Sequence, residues 1–253
     1  MSEDIIPAME GWEYRPDKVT ARKIQGRNGK DKIQMRIELG LLQMEAEGRP
    51  DGKRPYRKES LLDYYLLQLE QYKASHGTTR GFELSKSDCA SLHEEAVQYY
   101  HRYLSLFSLK DYRGVIRDTE RNLRAHQLVL RYGADERYKT TFARYIPYII
   151  MMNTKAKALI SLEKKDYQRA LKQTKLGMER IDDFFQSLDQ PELSKESEEI
   201  ESLRELAREI RKKKPLTHSE KLNIELEEAV GREDFEEAAR LRDKIKELQG
   251  KPR

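Results

Sequence analysis

Cysteine is nearly absent: Cys89 stands alone in 253 residues, which excludes an internal disulfide and any zinc ribbon built on paired cysteines. Turn formers are sparse too, with 13 Gly and 8 Pro against 37% charged residues. That balance favours long solvated helices over a β-sandwich or barrel. No apolar run approaches the ~18 residues that span a bilayer, and the opening MSEDIIPAMEGW lacks the basic-then-apolar layout of a signal peptide. A soluble, cytoplasmic protein is expected. Charge of one sign is also scarce, the formal net charge being only +4. The basic surplus falls in residues 73–190, where mixed-sign helical faces are its simplest account.

What is present begins with one stretch of period two. Ile33, Met35, Ile37, Leu39 and Leu41 alternate with polar residues or glycine, so the spacing predicts an extended strand with one apolar face. A weaker strand, VTARKI, precedes it across Gly26–Gly29, giving a β-hairpin. Gly48-Arg49-Pro50-Asp51-Gly52 should end the ribbon in a fixed loop. From Ser60 the period becomes helical, with helices expected over about 60–74, 87–109, 111–131, 135–162 and 166–187. Pro147 should kink or restart the fourth of these.

An internal repeat lies within the helices. Asp111, Tyr112 and Thr119 align with Asp166, Tyr167 and Thr174, the Asp capping a new helix and the Tyr plugging the elbow before it. This step resembles the turn of a tetratricopeptide repeat, although the offset exceeds the usual ~34 residues. Two long helical hairpins forming a bundle are therefore expected. Beyond Pro191 a charged helix carries one narrow seam, Leu193, Ile200, Leu203, Ala207 and Ile210. It could pack on the bundle, act as a stiff spacer or pair with a second copy.

The C-terminal stretch from Leu216 to Gly250 reads as two short antiparallel helices. Thr217 with Glu220 and Asp234 with Glu237 form capping patterns, Gly231 should stop the first helix, and apolar residues recur at helical spacing on both sides. This segment resembles the UVR motif, the helical hairpin found in UvrB, UvrC, the McsA activator of arginine kinase and some Clp ATPases. The residues that carry the likeness are Leu226, Glu228, Ala229, Val230, Arg232 to Glu236, Ala238 to Asp243 and Ile245. The resemblance implies a docking element that joins another UVR hairpin or a partner protein. Its interface would comprise Leu222, Leu226, Ala229, Val230, Phe235, Ala238, Ala239, Leu241 and Ile245. A unit this small rarely sustains a core alone, so its apolar stripe must be covered by a partner, a second copy or the chain's own bundle.

Little catalytic chemistry is legible. The chain has no Gly-x-x-x-x-Gly-Lys-Ser/Thr phosphate loop, no GIY-type nuclease module, and too few cysteines for a McsA-type zinc site. Cys89 and His93 share a helix face, but two ligands do not make a metal centre. His76, His101, His126 and His218 show no spacing suited to acid–base work. Arg113, Arg117, Arg121 and Arg124 line one helix side, an anion-binding stripe or, favoured by Asp118 and Glu120 on the same helix, a solvated face. Tyr99, Tyr100 and Tyr103 read as core rather than a base-stacking platform. Arg49 and Arg54 flank the Pro-Asp-Gly turn, to meet a ligand anion or to brace the turn.

The expectation is a mainly α protein in four parts. These are a β-hairpin plus helix module (1–75), a tetratricopeptide-like bundle (84–190), a charged linker helix (191–213) and a UVR hairpin (214–250). Its expected role is that of a bacterial, non-catalytic adaptor with no cofactor and no metal. The partner would be UvrB/UvrC-like in DNA repair, Clp ATPase-like in stress response, or a second copy. The alternative is a nucleic-acid-associated protein using the basic middle segment.

Overall fold

The computed structural model describes residues 4–215 and 218–249, with side chains through 4–215 and 221–246. The expected Thr217–Glu220 capping pair and the His218 side chain lie outside them. The chain divides into two compact units, residues 1–208 and 209–253.

In the first unit a short helix, α1 (Ile6–Met9), precedes three strands, β1 (Ala21–Gln25), β2 (Asp31–Ile37) and β3 (Gly40–Glu45). They form one antiparallel sheet in the order β1-β2-β3, with Lys23 opposite Ile33 and Ile33 opposite Met44. The sequence pattern suggests two strands; the third arises because the long alternating run folds back after Ile37, which pairs with Gly40. Leu39 therefore occupies the turn and is 88% exposed rather than sharing the apolar face. The Arg36 guanidinium clamps this turn, donating to the carbonyls of Ile37, Glu38 and Gly40.

Helices follow: α2 (Leu61–His76), α3 (Lys86–Ser108), α4 (Tyr112–Tyr132), α5 (Glu136–Glu163), α6 (Tyr167–Ser187), the short α7 (Glu192–Lys195) and α8 (Glu198–Lys213). Ser60 caps α2 through Asp63 N–H, and Ser85 with Asp88 forms a capping box on α3. Pro147 sits buried within a continuous α5, which does not restart there. On α6, Gly177 lets the helix approach α5 closely, since a Cβ there would lie 2.4 Å from Thr154 Oγ1.

The main core joins sheet and bundle. Ile33 and Met44 pack in one cluster with Tyr103, Leu106, Val115, Ile149, Ile150 and Ile181, so the sheet and the bundle share one core. Ile200 and Leu203 belong to the same cluster. Over Ile200 and Leu203 the seam of α8 packs on the bundle, so that stretch is no free spacer. A second cluster seats α2 on α3 and α4 through Leu62, Leu69, Leu92 and Val129, with Phe142 of α5.

His126 lies in this second region, where its Nδ1–H donates to the Phe142 carbonyl at 2.8 Å. Burial holds the imidazole down at about 4, against roughly 6.5 for an exposed histidine. The unfolded chain therefore binds the extra proton between those values. Stability from the neutral ring is complete above pH ~6.5 and is lost as pH falls toward the folded-state value. Urea unfolding should show the wild type losing roughly 2 kcal/mol more than His126→Asn between pH 7 and pH 5.

Candidate functional site

Three helix-to-helix elbows share one local solution. Lys110, Lys165 and Glu233 take positive φ, 61°, 57° and 60°, and an Asp follows each of them. The Asp backbone N–H of Asp111, Asp166 and Asp234 reaches back to the carbonyl of Leu106, Ser161 and Ala229, at 2.9 Å in each case. This closes the preceding helix. The same Asp side chain accepts the N–H of Gly114, Arg169 or Glu237 at 3.0–3.1 Å and opens the next helix. Thr119 and Thr174, aligned in the repeat, are both buried with their hydroxyls bonded back to their own helices. The third elbow joins α9 (His218–Gly231) to α10 (Phe235–Gln249). α9 ends at Gly231, where the sequence places its stop, and the left-handed residue of the turn is Glu233.

The aromatic residue after the capping Asp differs in its surroundings. Tyr112 is half-buried, edge-on to Phe107 with ring centroids 5.7 Å apart, and packs on the main core. Tyr167 is half-buried. Phe235, in the matching position of the third elbow, is 70% exposed. Val230 just before the turn is 51% exposed, and Ile224 on α9 is 41% exposed.

The expected interface residues separate into two groups. Leu222, Ala229, Ala238, Leu241 and Ile245 are buried and, with half-buried Leu226, pack on one another as the hairpin's own core. The stripe expected to await outside cover is largely covered by the hairpin itself. Two antiparallel amphipathic helices consume each other's apolar faces, and the small Ala229 and Ala238 fit that close seam. Ala239 is half-buried, while Val230 and Phe235 stand open. Ile224 is an exposed member of the surface that helical periodicity alone misses, because it falls between the seam residues Leu222 and Leu226.

The four arginines of the α4 stripe are not equivalent. Arg113 and Arg124 are exposed, but the two between them are committed internally. Arg117 pairs with Asp118 at 2.9 Å and Glu47 at 2.5 Å. Arg121 pairs with Glu95 and lies over the Tyr99 ring at 4.2 Å. The cause is two fully buried carboxylates, Glu95 and Asp118, which need cations. Glu95 also receives Arg49 at 2.8 Å and the backbone N–H of Leu61 at 2.8 Å and Leu62 at 3.3 Å, at the start of α2. Asp118 holds Arg102 through two bonds of 2.7 and 2.8 Å, and Arg102 goes on to the carbonyls of Glu45 at 3.1 Å and Gly48 at 2.8 Å. Arg49 thus braces the interior, and Arg54 faces Glu59 loosely at 3.8 Å.

The remaining candidates fall to packing. Cys89 is fully buried, and His93 lies edge-on to Phe142. Among the described residues no group of His, Cys, Asp and Glu could hold a metal ion. Tyr103 is core, Tyr99 lies beneath the guanidinium groups of Arg102 and Arg121, and Tyr100 is partly exposed. No helix among the described residues is long and apolar enough to cross a membrane.

Residues 220–251 match the UvrB/uvrC motif, which spans α9 and α10 and is often involved in protein interaction. No curated protein and no solved structure matches the chain.

Two outcomes follow from these contacts. Glu95→Gln leaves Arg49 and Arg121 facing a neutral amide, and urea unfolding should show a loss of about 3 kcal/mol. Leu241→Asp places a charge in a core of five buried side chains. Amide exchange should then accelerate through 221–246 while α3 and α4 keep their protection.

Proposed function

We propose that this chain is a non-catalytic adaptor that docks a protein partner on the elbow of its UvrB/uvrC-motif hairpin. The observation that carries this reading is the contrast among the three elbows. The same turn places an aromatic side chain in each, half-buried at Tyr112 and Tyr167 and 70% exposed at Phe235. Phe235, Val230 and Ile224 supply an aromatic and aliphatic surface on a hairpin whose shape is fixed by its own core. Exposed aromatics on a rigid support are the usual anchors of a protein interface. The motif favours a partner that itself carries a helical hairpin: a protein of the UvrB/UvrC kind, a Clp ATPase, or a second copy of this chain.

Surface plasmon resonance of the full chain against purified UvrB, UvrC and a Clp ATPase, with sedimentation velocity for self-association, tests the proposal. Phe235→Asp should weaken the complex at least tenfold, about 1.4 kcal/mol, and exposed Lys172→Asp on α6 should leave it unchanged. Equal affinity for wild type and Phe235→Asp would remove the elbow as the docking surface.

A further inference from the structure

The first unit holds a cleft of about 890 Å³ between the sheet, the 45–54 loop and the junction of α3 with α4. Its size falls within the range of small-molecule sites, roughly 300–1,000 Å³. Half-buried Ala46 and Leu109 form an apolar wall, with the edges of Ile33 and Leu106 beneath them.

Charge on the lining is equal by count but not by availability. Four of its five carboxylates face a cation, and the fifth, Asp111, is held by a backbone N–H. Asp31 meets Lys23 at 2.7 Å, Glu45 meets Lys32, Glu47 meets Arg117 at 2.5 Å, Glu59 faces Arg54 at 3.8 Å and Asp111 caps α4 through Gly114 N–H at 3.0 Å. Two of those cations, Lys32 and Arg117, come from outside the lining, while Arg49 of the lining is spent on Glu95 and Asp51 outside it. Exposed Lys30 and Lys53 border the cleft, and neither ammonium has an ion-pair partner among the described residues. A concave site with apolar walls and two uncommitted cations favours a ligand of opposite charge with an apolar body.

We propose that this cleft binds an amphipathic organic anion: a compact apolar body ending in a carboxylate, sulfonate or phosphate, the body against Ala46 and Leu109 and the anion held by Lys30 and Lys53. The site belongs to the body of the molecule and stands independently of the hairpin.

The probe is 1-anilinonaphthalene-8-sulfonate, an aromatic sulfonate whose fluorescence rises on transfer to an apolar site, titrated into the full chain. Saturable binding is expected, weakened about tenfold by Lys30→Glu/Lys53→Glu and weakened by 0.5 M salt as exposed charges are screened. The control Lys172→Glu/Lys175→Glu, the same charge change on the outer face of α6, should retain wild-type affinity, with circular dichroism confirming that both variants fold. Displacement of the dye by octanoate or by 2-naphthoate supports the proposal and identifies an aliphatic or an aromatic body. Non-saturable binding, a change below threefold in the cleft variant, an equal loss in the control, or retention of the dye against 100-fold excess of both acids would each overturn it.

Discussion

Two buried carboxylates dictate how the body is assembled. Glu95 and Asp118 have no exposed surface, and an uncompensated charge in that position would cost several kcal/mol. Their partners come from separate parts of the chain: Arg49 from the loop after the sheet, Arg102 from α3, Arg117 and Arg121 from α4, and the first backbone N–H groups of α2. The sheet loop, the start of α2 and the α3–α4 pair therefore meet at one polar centre. An arginine that answers a buried carboxylate is not free to answer a phosphate, so Arg117 and Arg121 serve the interior while Arg113 and Arg124 stay exposed.

The same reasoning separates scaffold from surface in the hairpin. Its two helices satisfy each other, so the residues that make the motif recognisable mostly hold its shape. What the pairing leaves over lies near the turn, where a positive-φ residue and a capping Asp fix the direction in which Phe235 leaves the backbone. Recurrence of this turn in the body gives an internal reference: there the equivalent rings, Tyr112 and Tyr167, are half-buried, and Tyr112 packs on the main core.

The legible parts of the fold were those governed by local rules. Capping Ser60, Asp111 and Asp166 announce their helices, and the alternation in β2 announces a strand, because each signal sits within a few residues of its effect. The third strand escaped because one alternating run supplies two strands, and nothing in period two marks where it folds back at Leu39. The fate of α8 escaped for a different reason: a seam shows that a helix must pack, not against what. Likewise, spacing placed Arg117 and Arg121 on one face of α4 but could not show that Glu95, from another helix, would be buried beneath it. Of the candidate site, the hairpin and its turn were readable from the motif. The division between seam residues and open residues required both helices in register.

Cys89 is fully buried, its Sγ–H directed at the Leu84 carbonyl 3.9 Å away, and burial pushes the thiol up from its usual range. A thiol both shielded and disinclined to ionise reacts slowly with maleimides and oxidants. The native chain is thus a nearly silent background for site-specific chemistry. One cysteine introduced on the outside can carry a fluorophore, spin label or photocrosslinker without first removing a residue that the interior needs.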